Sequence, residues 1–141
     1  MKIIMDYPPN IEKIKAAFNI EGLKVVFTYG DTIYNPHTDA VSDHLMVHES
    51  THARQQGDDP DAWWDKYIAD PEFRKEQELE AYANQYLFMK KACTNRVLKD
   101  FLYQIANDLS GQIYGNLMSL TEAESAIRRK ARDLSECAIY V

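Results

Sequence analysis

The residues best suited to chemistry lie in one short run, His48-Glu49-Ser50-Thr51-His52, an HExxH motif. On a helix, residues four apart sit about one turn apart on the same face. His48 and His52 can therefore aim two imidazoles at one point, which is what a tetrahedral zinc ion asks of two ligands. Glu49 lies about 100° around the helix from His48. Its carboxylate then falls beside the metal without taking a ligand position. Zinc in such a place lowers the pKa of a bound water and polarises a carbonyl. Glu49 would accept the water proton and deliver it to a leaving amine. Chance would place roughly 0.01 such motifs in a chain of this composition. The competing reading is an amphipathic helix with solvated histidines.

Catalytic zinc usually takes three protein ligands and keeps one position open. The segment after the motif offers Glu72, Glu76, Glu78 and Glu80. The helical face of Glu80 carries Phe73, Glu76, Ala83 and Leu87, and is largely apolar. That of Glu78 carries Arg74, Lys75 and Gln85 beside Tyr82, and is more polar. A carboxylate on an inward apolar stripe needs compensation, which a metal would give. The expected third ligand is therefore Glu80, with Glu76 next. The plainer role for Glu80 is an ion pair with Arg54 or Arg74.

These residues resemble the gluzincin branch of zinc metallopeptidases. There HExxH supplies two histidines and a later helix supplies a glutamate. Glu80-Ala81-Tyr82-Ala83-Asn84 is similar to that branch's Glu-x-x-(Ala/Ser)-(Asp/Asn) element. The short core resembles the minimal gluzincins, including ImmA/IrrE-like and small phage-type peptidases, over roughly residues 23–91. No Gly or third His follows His52 in metzincin fashion. The resemblance implies His48, His52 and Glu80 as zinc ligands and Glu49 as general base. It also implies that Thr32–Asn35, with Tyr34, is a strand edge along which a peptide or protein substrate lies. For the developing negative charge it points to a Tyr, His or Arg, and Tyr67, Arg74 and Tyr82 are the candidates. The alternative function is a non-catalytic zinc-binding module that regulates or binds a partner. A purely structural zinc site fits less well, because such sites are usually closed by four Cys or His ligands.

Other residues invite similar readings. His44 extends the histidine row by one turn, but its distance from His52, about 12 Å along the axis, is too long for one ion. His37 reads as surface. Arg54-Gln55-Gln56 could orient the motif helix or bond a ligand. Of Trp63 and Trp64, one is expected in the core and the other along the cleft. Cys93 and Cys137 read as small core residues.

The elements that must position the motif follow from local pattern. Residues 1–5 read as a strand and residues 9–18 as a helix opened by Pro9 and Asn10. Leu23–Tyr29 and Thr32–Tyr34 flank Gly30-Asp31, the pattern of a hairpin with a type II′ turn. Residues 42–56 read as a helix that Gly57 stops. Asp59-Pro60 and Asp70-Pro71 each supply an N-cap and a first-turn proline for helices over 60–68 and 71–91. Residues 95–109 carry one apolar stripe, and Thr121-x-x-Glu124 reads as a capping box opening a last helix. The expected fold is α+β: a small antiparallel sheet, the hairpin at about 23–35, packed on a mainly helical zincin-like core with a C-terminal helical extension.

The chain has 141 residues, enough for a single domain, and is 45% hydrophobic. Its net charge of −6 argues against nucleic acid or anionic membrane as the main partner. Two cysteines far apart give no disulfide framework, and no apolar run reaches signal-peptide or membrane-span length. A cytoplasmic protein is expected. The charge is concentrated in residues 58–80, where nine acids face three bases. If that stretch rims the cleft, basic substrates are favoured.

Overall fold

The computed structural model describes the backbone of residues 1–139 and the side chains of residues 1–136. Its elements, in order, are β1 (Lys2–Ile4), α1 (Ile11–Ala17), β2 (Phe27–Tyr29), β3 (Thr32–Tyr34), α2 (Asp43–Gln56), α3 (Pro60–Ala69), α4 (Pro71–Ala92), α5 (Asn95–Leu109), a 3-10 turn (Gln112–Tyr114) and α6 (Leu120–Ile139). The fold is α+β, as expected.

The sheet differs from expectation in one respect. It is mixed, with order β1-β3-β2. β2 and β3 form the hairpin, with Tyr29 opposite Thr32 across Gly30-Asp31. Gly30 has φ +64° and Asp31 has no positive φ, the signature of the type II′ turn. β1 then pairs parallel to β3, Ile3 opposite Ile33. Thr32–Tyr34 is thus the central strand, and the expectation of a free substrate-binding edge there is wrong. Both sides of its backbone ladder are taken by other strands.

Local signals place the helix starts. Asp59 accepts from the Ala62 N–H and Asp70 from the Glu72 and Phe73 N–H groups. Gly57, at φ +57°, closes α2. The last helix starts earlier than the capping box suggested. Ser119, not Thr121, accepts from the Glu122 N–H at 3.2 Å. Ser119-x-x-Glu122 is an overlapping box two residues upstream, and the helix uses that one.

Two apolar clusters hold these elements. One joins Ile14, Phe27, Trp63, Trp64 and Tyr67 beneath α1 and the sheet. The other joins Tyr82, Phe101, Leu102, Ile105, Leu109 and Ile127 between α4, α5 and α6. α4 borders both clusters and packs along α2. The motif helix and α4 therefore meet where the two clusters adjoin. Cys93 is half-buried, its thiol 3.0 Å from the Met89 carbonyl. The Cys137 side chain lies outside the described residues. No helix among the described residues is long and apolar enough to cross a membrane.

Candidate metal centre

α2 presents His48 and His52 one turn apart, as its spacing requires, with both rings buried. Their Nε2 atoms face each other at 3.1 Å. The third group is Glu78, 2% exposed, on α4. Its Oε2 lies 3.3 Å from His48 Nε2 and its Oε1 lies 3.3 Å from His52 Nε2. Two imidazole nitrogens and a carboxylate thus converge within 4.8 Å of one another. For bonds of 2.0–2.1 Å in tetrahedral geometry, ligand atoms sit about 3.3 Å apart. The nitrogen–nitrogen distance of 3.1 Å and the two nitrogen–oxygen distances of 3.3 Å, one to each oxygen of Glu78, lie near that value. Glu78 Oε2 is also buried without a hydrogen-bond partner. Two nitrogens of like polarity facing a buried carboxylate need a proton or a cation between them, so the donor set fits a metal ion.

This corrects the choice of third ligand. Glu80 points away from the cluster and is bonded by Arg54 Nη2 at 3.1 Å and Gln55 Nε2 at 3.0 Å. Glu76 is exposed. The polarity ranking of the two faces failed for a physical reason. Arg74, Glu78, Tyr82 and Gln85 form a buried stripe whose polar atoms bond to one another's neighbours and to the site. A buried His-His-Glu cluster makes the inward face of its helix polar.

Outer partners fix the three side chains of the cluster. Gln85 Oε1 lies 3.0 Å from His48 Nδ1, and Gln55 Oε1 lies 2.9 Å from His52 Nδ1. Tyr67 donates its hydroxyl to Glu78 Oε1 at 2.6 Å. His44 is no member of the cluster; its Nδ1 lies 2.8 Å from Gln85 Nε2. Burial by itself would raise the Glu78 pKa. The two imidazoles overcome this and hold its carboxyl well below the usual range. Burial would lower the His52 pKa, but Glu78 pushes it up to about 9. Burial, and then the charge of Glu78, raise the phenols of Tyr67, Tyr82 and Tyr114 well above their ordinary value. All three remain hydrogen-bond donors at neutral pH.

Glu49 is buried beside the cluster but is not part of it. Thr28 on β2 donates to Glu49 Oε2 at 2.5 Å. Sequence reasoning missed Thr28, whose role arises only because β2 runs against α2. Gln56 makes that contact rigid. Its Nε2 donates to the Thr28 carbonyl at 2.8 Å and its Oε1 accepts from the Gly30 N–H at 2.7 Å.

The remaining candidates separate clearly. Arg74 is buried and donates to the carbonyls of Tyr67, Ile68 and Tyr114, so it is a structural clamp. Tyr82 stacks edge-on against His48 and shares a 2.8 Å hydroxyl bond with Tyr114. Tyr34 packs in the cluster beneath α1. Both tryptophans are buried and line the site. His37 is exposed.

A cavity of about 70 Å³ adjoins Glu49 and the three ligand candidates, and is otherwise lined mostly by apolar residues such as Ile14, Phe18 and Trp64. An outer groove of about 610 Å³ reaches His48 and Glu49 between residues 23–26 and Gly111–Tyr114. Ile113 and Tyr114 line both. The acids from Asp58 to Glu76 line neither. Asp59 and Asp70 cap helices, Asp61 bonds the Tyr29 hydroxyl, and Asp65 pairs with Lys13. Apart from Glu78, the acidic stretch does not rim the site. Comparisons with protein-family models, curated proteins and solved structures find no match to the chain.

Proposed function

We propose that this protein is a zinc-dependent hydrolase of peptide bonds, organised on gluzincin lines, with His48, His52 and Glu78 as ligands and Glu49 as general base. The observation that carries the reading is the buried His-His-Glu cluster with a separate carboxylate, Glu49, held beside it. Zinc in this position would acidify a water molecule and polarise the scissile carbonyl. Among the described residues, only one oxygen of Glu49 has a hydrogen-bond partner. The other is free to take a proton and pass it to the leaving amine. The Tyr82–Tyr114 pair holds one hydroxyl hydrogen between its oxygens, leaving the second for a substrate carbonyl oxygen. Residues 24–26 carry no strand partner and line the outer groove. They replace Thr32–Asn35 as the backbone against which an extended substrate would pair.

A second reading is a metal-binding module without catalysis. It is favoured by the closure of the site: His48, Glu49, His52 and Glu78 are each at most 6% exposed, beneath Ile113 and Tyr114. One experiment separates the two. Metal content is measured on purified protein, and wild type is compared with Glu49→Gln on casein and peptidoglycan-peptide substrates. Bound zinc with Glu49-dependent cleavage supports the hydrolase. Zinc with no cleavage in either protein supports the module, and protein that takes up no zinc removes both.

A further inference from the structure

Each site imidazole has a second nitrogen, and each of these meets a glutamine. The orientation of Gln55 is set by acceptors that cannot donate. Its Nε2 lies 3.0 Å from the Gln77 carbonyl and 3.0 Å from Glu80 Oε1. The amide NH2 must face them, so the oxygen faces His52 Nδ1. An oxygen there accepts, and Nδ1 must carry a hydrogen. A neutral imidazole has only one, so Nε2 presents its lone pair to the cluster. Gln85 meets His48 in the same way from the opposite helix: its Oε1 lies 3.0 Å from His48 Nδ1, and its Nε2 lies 2.8 Å from His44 Nδ1, which accepts when His44 carries its hydrogen on Nε2. The Arg54–Glu80 pair stands behind Gln55.

We infer that Gln55 and Gln85 are positioning residues that hold His48 and His52 with Nδ1 protonated and Nε2 free toward a common point, and that Glu80 acts through Gln55. The inference rests on the metal-site reading above. Without these partners each ring can turn or move its hydrogen to Nε2, which removes the lone pair from the site. Partners of this kind are typically worth 10–100-fold in metal affinity.

The test uses the full chain, with zinc as probe and a competing chelator as reference. Gln55→Leu and Gln85→Leu should each weaken zinc binding by about 10–100-fold. Gln85→Glu should recover most of that loss, because a carboxylate also accepts from the His48 Nδ1–H while His44 turns to donate. A merely structural amide would not be replaced by a charge in this way. Long-range 15N–1H correlation spectra of the metal-free wild type at pH 10 should show both rings as the Nδ1–H form. Leucine variants that fold and bind zinc within about threefold of wild type, or rings found as Nε2–H, would overturn the inference. The spectrum needs no variant, so a misfolded substitution leaves it decisive. Wild type that takes up no zinc would sink the metal reading, and the spectrum would then decide the positioning alone.

Discussion

A buried carboxylate facing two imidazole nitrogens at 3.3 Å needs a proton or a cation between them. Glu78 and Glu80 are two residues apart on one helix, yet only Glu78 points there. Glu78→Ala should lower zinc affinity by more than about 100-fold, beyond the usual cost of losing an outer partner. Glu80→Ala should cost about tenfold or less, since Gln55 keeps its bond to the Gln77 carbonyl. Chelator competition on both variants checks this, and the reverse order would restore Glu80 as ligand. The same cluster sets a pH dependence. In the metal-free chain His52 holds a proton up to about pH 9, against 6.5 ordinarily. That proton's stabilisation is fully present below 6.5 and is lost as pH rises through about 9. The Glu78 contribution is present above its ordinary 4.5 and is lost as pH falls through its lowered value. Metal-free Tm should therefore be level from about pH 5 to pH 6.5, fall as pH rises from about 6.5 to about 9, and level off above that. Zinc needs the nitrogen that the proton occupies. Zinc affinity should climb about tenfold per pH unit toward 9 and then level off. A flat affinity between pH 6.5 and 8.5 would show that no such proton is displaced.

The elements that the sequence states most clearly are those it specifies locally. Asp59-Pro60 and Asp70-Pro71 open helices because cap and proline lie within one turn of each other. HExxH is legible for the same reason, since a single helical turn aligns its histidines. What was illegible depends on distant parts of the chain. The pairing of Lys2–Ile4 with Thr32–Tyr34 joins strands about thirty residues apart in sequence, and it buries the supposed edge. The Glu78 face looked solvent-directed because a polar residue bonded in the interior has the same letter as one bonded to water. Gln56 shows the consequence. As the last residue of a polar-looking helix end it is 4% exposed, and it ties α2 to the hairpin through two backbone groups. Gln56→Ala leaves the Gly30 N–H without that partner, and should cost about 1–3 kcal/mol of stability. Urea denaturation of the variant measures this directly. A loss below about 0.5 kcal/mol would mean that the hairpin is held by its other ties, the Thr28 bond to Glu49 and the Trp64 Nε1 bond to the Thr28 carbonyl among them.

At the scale of the whole molecule, the motif and the three ligand candidates belong to residues 43–92, but the site is completed from further along the chain. α5 and α6 close the second apolar cluster, and the segment between them carries Ile113 and Tyr114 over the cavity. Arg74 fixes that segment by donating from Nε to the Tyr114 carbonyl at 2.9 Å, while its Nη1 holds the carbonyls of Tyr67 and Ile68. The last turn of α3, the start of α4 and the roof of the site are thus joined through one guanidinium. The C-terminal helices therefore do more than enlarge the core: they deliver a phenol to within hydrogen-bond reach of Tyr82, itself packed on His48. If that phenol supplies a hydrogen to the developing negative charge, Tyr114→Phe should lower kcat/KM by about 100-fold, the scale of losing one such donor. Zinc affinity should be unchanged, because the Tyr114 hydroxyl bonds Tyr82 and none of the three ligand candidates. Parallel measurement of peptide cleavage and zinc affinity on this variant decides it. A fall in zinc affinity equal to the fall in rate would show that Tyr114 supports the metal site and does not act on the substrate.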